Sequence, residues 1–457
     1  MKNASPVSSG HSTARDMTSG PILQQIVLFS LPLLLGNVFQ MLYNTVDTLV
    51  VGNFVGTQAL AAVGSTTMIT NLMVFFFNGL SLGATVIIGQ CFGAKDLKSL
   101  HVAIETTMAM TFLMGVVLTI LGLLLVKPML LMMSTPDDVF PEATLYLRTY
   151  VSGISGLMLY NMGSGILRAV GDTTRPLYFL ILTSVMNIFL DLLFVIVFHA
   201  GIMGVALATI IAQFISAILV LYLLTTTNDI YKFVWKDLML DLPTFGRIFA
   251  IGFPTALQSM ITAFSNIFVQ SYVNFFGSAC MAGWSCFQKM EQFILIPMTS
   301  LSSGATTFVS QNIGAKQVKR ANKGTVAAVL VAVGITVVLA GLLYLFAGPV
   351  TGIFSKDSEV ISFGTLFIHT NALFMILNCI NHTLAGALRG RGDSKGPMVI
   401  MLLTFVGIRQ VYLFVATRFI ANTALVVGLG YPIGWTFCCI IEVAYFFLRW
   451  GRQKDGE

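Results

Sequence analysis

Apolar residues fall in long blocks along this chain, separated by short polar loops. Twelve such runs stand near 25–51, 58–90, 102–126, 142–167, 177–198, 201–225, 248–276, 278–311, 324–347, 360–388, 397–419 and 423–448. Each reaches or passes the roughly 20 apolar residues that a helix needs to cross a bilayer. A segment in hydrocarbon must satisfy its own backbone polar groups, so the pattern predicts an all-α integral membrane protein with twelve transmembrane helices. Charged residues make up only 10% of the chain and mean hydropathy is +0.86, far from the roughly 25% charge of soluble domains.

Two halves of the sequence match at a nearly constant offset. "GATVIIGQCFGAK" (83–95) aligns with "GATTFVSQNIGAK" (304–316), and "LRAVGDTTRP" (167–176) with "LRGRGDSKGP" (388–397), both 221 residues apart. "SLP" at 30–32 pairs with "GFP" at 252–254, one residue further. Six spans per half put both halves in the same orientation, two parallel repeats about an axis along the membrane normal. The division expected is a tail (1–20), a first lobe (21–225), a linker (226–246), a second lobe (247–448) and a second tail (449–457).

Charge sets the orientation. Of the 25 Lys and Arg residues, 19 fall on the side of both tails and four (Lys127, Arg148, Lys356, Arg418) on the other, with Lys289 and Arg409 at membrane depth. Basic loops stay in the cytoplasm, so both termini are expected inside a multi-pass cell membrane protein. The bias accounts for the net charge of +6 without a nucleic-acid partner, and the basic loops are expected to meet anionic lipid. The first twenty residues lack the apolar core of a signal peptide, so the first run reads as a retained helix. The six cysteines show no metal or disulfide spacing and read as small apolar filler.

Several local motifs carry less than their letters suggest. In "RAVGDTTRP", Gly171 permits a tight turn, Asp172 caps it, and Arg168 is placed to pair with Asp172. The "RGD" at 391–393 is its repeat twin on a cytoplasmic loop. "GLSLG" (79–83) lies inside a helix, not at the strand-to-helix turn of a nucleophile elbow. The chain contains no Walker A sequence.

The informative residues are polar and at membrane depth. Asn37, Gln40, Asn44 and Asp47 recur at spacings of 3, 4 and 3 and share one face of the first span. The fifth span carries Ser184, Asn187 and Asp191, the sixth Thr209, Gln213 and Ser216, the second Asn71 and Asn78, and the fourth Tyr160, Asn161 and Ser164. Lipid satisfies none of these groups, so they must face protein or water, and together they predict a polar pocket in the N-terminal half. Counting from Leu177, Asp191 lies about 21 Å into the bilayer at 1.5 Å per residue. It can share a site with Asp47, which is near the outer end of its own span. Two carboxyls in one dry site resist ionising together, which suits a proton carrier. With the oxygens of Asn187 and Thr209 they also make a hard donor set for a bare cation. At the repeat offsets Asp47 maps to Val269 and Asp191 to Tyr412, so the duplicated frame does without both acids. The C-terminal half has its own polar set, in which Gln258, Gln288, Lys289, Glu291 and Arg409 are candidates for a central substrate cleft. Lys289 and Glu291, two apart, do not face each other on a helix.

These residues resemble the multidrug and toxic compound extrusion (MATE) family of secondary transporters, prokaryotic type. The likeness runs from "GPILQQIVLFSLPLLLGNVFQMLYNTVDTLVVG" through both "GAK" loops to "LRGRGDSKGP", with "NIFLD" on the fifth span and Pro32 and Pro254 in the first span of each half. The resemblance implies a V-shaped pair of six-helix lobes around a central cleft. It implies export of organic, mostly cationic or amphipathic compounds in exchange for H+ or Na+ by alternating access, with no cofactor and no catalysis. It further implies that Asp47, Asn187, Asp191 and Thr209 form the cation-coupling site and that Gln40, Tyr43, Asn44, Asn161 and Ser164 line the same pocket. Some members carry a functional acid on the seventh span, where this chain has the amide Gln258, so the coupling acids are expected to be Asp47 and Asp191. Pro32 lacks an amide hydrogen and marks a bend point. A monomer in contact with membrane lipids is expected. The alternative is a lipid or lipid-linked oligosaccharide flippase of the same superfamily, for which a cleft rich in Lys and Arg would be needed. A membrane enzyme would need a nucleophile–base set or metal cluster, and His369 and His382 have no evident third ligand.

Overall fold

The computed structural model of the chain describes residues 14–133 and 135–449, and the parts of the two expected tails at 1–13 and 450–457 lie outside them. Among the described residues there is no strand. The helices, in order, are α1 (Ile22–Val55), α2 (Thr57–Gly93), α3 (Leu97–Met132), α4 (Phe140–Ser152), α5 (Ile154–Ala169), α6 (Thr174–Val197) and α7 (Gly201–Thr226) in the first half. The second half has α8 (Leu242–Asn274), α9 (Ser278–Gly314), α10 (Val318–Leu345), α11 (Ala347–Phe354), α12 (Ser358–Gly390), α13 (Lys395–Phe419) and α14 (Ala424–Arg449). Eleven of these are long and apolar enough to cross a membrane.

The remaining span, expected as one run over 142–167, is two helices. Gly153 leaves helical geometry at φ −96° and ψ 2°, and a Cβ there would stand 2.5 Å from Ile210 Cγ1 on α7. Close approach of α7 therefore divides the fourth span into α4 and α5. Three helices start before their apolar blocks under an aspartate cap: α3 at Asp96, α8 at Asp241 and α12 at Asp357. Asp96 accepts a hydrogen bond from the Ser99 amide at 3.1 Å and from its hydroxyl at 2.7 Å, so α3 begins well before its apolar run.

Helices α1–α7 form one lobe and α8–α14 the other. They meet where α2 runs along α8 and α9, and α1 along α9. Glycines make this approach close. A Cβ on Gly93 would lie 1.9 Å from the Gln311 carbonyl oxygen, and one on Gly314 would lie 1.9 Å from the Gln90 carbonyl oxygen. These are the same contact repeated by the pseudo-twofold. Gly79 and Gly83 likewise bring α2 close to α8, where a Cβ would stand 2.6 Å from Ala256 and 2.8 Å from the Gly252 nitrogen, respectively. All of these contacts lie in the halves of the helices nearest the basic loops. The opposite halves diverge and leave a groove lined by Asn37, Gln40, Asn44 and Thr48 of α1 and Lys289 and Gln292 of α9, among others. The result is a V closed at the end bearing the termini. Large apolar side chains such as Leu124, Ile218 and Val338 remain exposed on its flanks, as a lipid-facing surface requires.

Residues 14–20, the described part of the expected first tail, are docked on both lobes. The Arg15 amide donates to the Val170 carbonyl at 3.0 Å in the first lobe. The Met17 amide donates to Gln311 Oε1 at 2.9 Å in the second, and Arg320 donates to the carbonyls of Ser19 and Gly20. Met17 itself is fully buried between the lobes. The inter-lobe linker is docked as well: Tyr231 and Phe233 are buried in the first lobe, and the Val234 amide donates to Glu105 Oε1 at 3.2 Å.

Candidate functional site

The polar stripe of α1 forms a wall between two spaces. On one side is the groove between the lobes. On the other is a cavity of about 210 Å3 inside the N-terminal lobe. Asn37 and Gln40 reach both spaces. Tyr43 joins the cavity wall with Asn78, Tyr150, Tyr160, Asn161, Thr183, Ser184, Asn187, Thr209, Gln213 and Ser216. Six helices contribute to the wall because each carries its polar residues at helical spacing on the face turned inward. Asn44 is exposed in the groove, so it does not line the cavity with Gln40 and Tyr43. Ser164 is buried beside Tyr160, behind the wall.

The two acids stand just past one end of this cavity. Asn187 is on its wall, and Asp191 lies one turn further along α6, fully buried. Asp47 of α1 faces Asp191 at close range. Both carboxyl oxygens of Asp191, Oδ1 of Asp47 and both polar atoms of Asn187 are buried without a hydrogen-bond partner. Buried polar groups are ordinarily satisfied, so a cluster of orphaned oxygens is costly unless it holds a proton or a cation. Thr209 donates its hydroxyl to the Val205 carbonyl at 3.1 Å, which leaves its oxygen free to accept. Five-residue π-helical turns follow each acid, at Val51–Val55 and Leu193–Val197, and the two turns touch. Such turns recur at functional positions because they interrupt the regular ladder. Tyr146 of α4, near the acid pair, stacks at 6.3 Å on Tyr150 of the cavity wall, and the sequence reading named neither. Their spacing of four on a predicted span was the available signal.

The site therefore combines a pair of carboxyls, an amide and a hydroxyl on three helices of one lobe. A sequence model of the MatE family matches residues 32–193 and 251–415, covering both repeats. The chain belongs to the MatE family. It is a membrane transporter and not an enzyme. It is 28% identical over 447 residues to the probable multidrug resistance protein YpnP of Bacillus subtilis, covering 96% of this chain and 98% of that protein. It is 27% identical over 444 residues to the probable multidrug resistance protein YoeA of the same organism, covering 95% of each. The fold is similar to that of a multidrug resistance MATE family transporter solved in an outward-facing conformation, with a TM-score of 0.90, 21% identity and coverage of 97% of this chain and 99% of that one.

The C-terminal lobe of this MatE chain separates the residues expected together in a central cleft. Lys289 lines the groove, and its ammonium also stands 5.4 Å from the Phe354 ring. Gln258, Glu291 and Arg409 are buried inside the lobe instead. Gln258 turns its amide to the Met401 sulfur. Arg409 donates to Ser265 Oγ at 2.7 Å and Asn266 Oδ1 at 2.9 Å, and lies 4.9 Å from the Tyr431 ring. Glu291 lies near Arg409, and Gln288 stands beside Tyr431. The positive charge nearest to act on Glu291 thus comes from its own lobe, Arg409 of α13, without a direct ion pair. Arg168 also departs from expectation. Asp172 pairs with Arg175 at 3.5 Å and accepts from the amides of Thr174 and Arg175, while Arg168 turns inward and donates to Ser81 Oγ at 3.0 Å.

Proposed function

We propose that this protein is a multidrug efflux antiporter that exports organic, mostly cationic or amphipathic compounds in exchange for H+ or Na+. The observation that carries the reading is the facing Asp47–Asp191 pair, whose oxygens are buried without partners beside a polar cavity. With both termini in the cytoplasm, the groove opens outward and the acids are reached from outside. Taking up H+ or Na+ there removes a charge penalty. α1, which walls both the cavity and the groove, then repacks and disfavours retention of the exported compound. The lobes rock, the inner contacts part, and the cation leaves inward. Each charge moving inward contributes about 2.3 kcal/mol per 100 mV of membrane potential. The test is efflux of a fluorescent organic cation from proteoliposomes under an imposed pH or Na+ gradient. No efflux under either gradient, from protein shown to be folded, would remove the proposal.

A flippase for a lipid diphosphate would need a groove rich in cations, and Lys289 is the one charged residue among those that line it here. Pro32 lies inside α1 on the cavity wall. Its missing amide hydrogen leaves a carbonyl free one turn earlier and weakens the helix there. Pro32→Ala is therefore expected to slow gradient-driven efflux and change its pH dependence. Wild-type rates across the pH range would exclude Pro32 as the bend.

A further inference from the structure

The charges of the N-lobe cavity are arranged by the repeat in an uneven way. Arg168 and Arg389 are twins at the 221-residue offset. Each guanidinium donates to a twin serine, Arg168 to Ser81 Oγ at 3.0 Å and Arg389 to Ser302 Oγ at 3.5 Å. Each serine in turn donates to a helix carbonyl at 2.6 Å, that of Asn161 or of His382. The duplicated frame therefore holds an arginine at this depth in both lobes. In the C-terminal lobe the fully buried Glu442 on α14 supplies a negative charge near Arg389, without a direct ion pair. In the N-terminal lobe the matching last helix, α7, contains no acidic residue at all. Asp172 on the adjoining loop is taken up by Arg175. Arg168 instead fronts the cavity, where it is the one charged side chain on the wall among the described residues.

A guanidinium turned into a polar cavity, short of an acid partner, near Tyr160 and sharing the wall with Asn78 and Thr173, is a receptor for negative charge. The acids stand beyond the other end. From Pro176 to Asn187 on α6, both on the wall, is about 16 Å at 1.5 Å per residue. That is too far for Arg168 to pair with Asp191 and close to the length of a drug-sized molecule. We propose that the inner end of the N-lobe cavity, at Arg168, binds a small singly charged anionic group. The group is the carboxylate of a zwitterionic substrate whose cationic end points toward Asp47 and Asp191, or free chloride that balances Arg168 when the substrate is purely cationic. This names a substrate class within the transporter reading and rests on that reading. Binding is measured without a gradient, so its failure is distinct from a failure of coupling.

The experiment is equilibrium binding to the purified full chain of a fluorescent zwitterionic quinolone and of its carboxamide, which keeps the cationic end and loses the negative charge, each in chloride and in the bulky sulfonate isethionate. A hydrogen-bonded charge of this kind gives about a tenfold or greater preference for the acid over the carboxamide. Wild type is expected to show that preference, and chloride is expected to weaken binding of the acid. Arg168→Gln should abolish both effects, and Arg168→Lys should keep most of them. Chloride dependence without an acid preference would identify chloride as the occupant. No acid preference and no chloride effect in wild type would overturn the proposal. The same preference in Arg168→Gln as in wild type would overturn it too. The wild-type arms stand whether or not the glutamine variant folds.

Discussion

Asp191→Asn is expected to reduce gradient-driven efflux in proteoliposomes to the leak of empty vesicles, and Asp47→Asn to do the same. The amide keeps the volume and one oxygen of the carboxyl but cannot take up a proton or carry the charge that attracts a cation. Asp191 is fully buried on α6 and meets Asp47 across the bundle, so the two act as one unit. Groups that act as a unit are not additive, and the double variant should be no worse than either single one. The repeat offers a control of the opposite kind. Val269 stands where Asp47 has its twin, and the C-terminal lobe packs around it without an acid, fully buried. Both variants should therefore fold, which a thermal unfolding midpoint near that of wild type will show. Efflux at the wild-type rate in either single variant would sink the coupling assignment. Which imposed gradient drives wild-type efflux, and which the variants lose, also decides between H+ and Na+.

Gly93→Ala is expected to open the end of the V that bears the termini. A Cβ at this position would stand 1.9 Å from a backbone carbonyl oxygen of the opposite lobe, which cannot swing away as a side chain can. Overpacking of this kind costs typically 1–3 kcal/mol and occasionally more. At about 1.4 kcal/mol per factor of ten, the balance between closed and open inner ends should move by roughly tenfold or more. Gly314→Ala makes the twin contact and should act in the same direction. Spin labels on Lys98→Cys and Lys319→Cys, both exposed at the inner end, read the change by double electron–electron resonance. The expected result is a second, longer distance that grows in the variants. Gly64→Ala is the control, since a Cβ there meets nothing within 4 Å. A distance distribution identical to wild type in both Gly93→Ala and Gly314→Ala would show that these contacts do not hold the lobes.

The twelve runs and the acid-bearing stripes were legible because they are local. A span declares itself by apolar length, and a stripe by spacings of three and four on one helix. Asp47 and Asp191 could be matched from their separate depths alone, and the structure brings them together. The fourth span was read as unbroken because nothing around Gly153 announces Ile210, which approaches from a helix more than fifty residues away. Met17 looked like part of a polar tail, since its burial depends on Gln311, Asn312 and Arg320 of the other lobe. Gln258, Glu291 and Arg409 were expected in a cleft because depth along a helix is readable and direction around the bundle is less so. Arg168 was assigned to Asp172, its sequence neighbour, whereas the nearer partner in space proved to be Ser81.

The sequence by itself determined that the chain spans a membrane, that it does so as two parallel copies of one frame, and that Asp47 and Asp191 have no acidic counterpart in the second copy. Those properties follow from composition, periodicity and internal comparison, each confined to one segment or to the match between two. The tertiary structure alone decided which side of each helix meets lipid, cavity, groove or the opposite lobe. It decided that the lobes close at the end carrying the termini, because glycines there let two backbones come within contact. It also decided that Arg389 has the acid Glu442 nearby in its own lobe while Arg168 fronts a cavity. Burial and partnership of a charge depend on what packs against it from other helices, and a linear pattern holds that information only for neighbours along the same one.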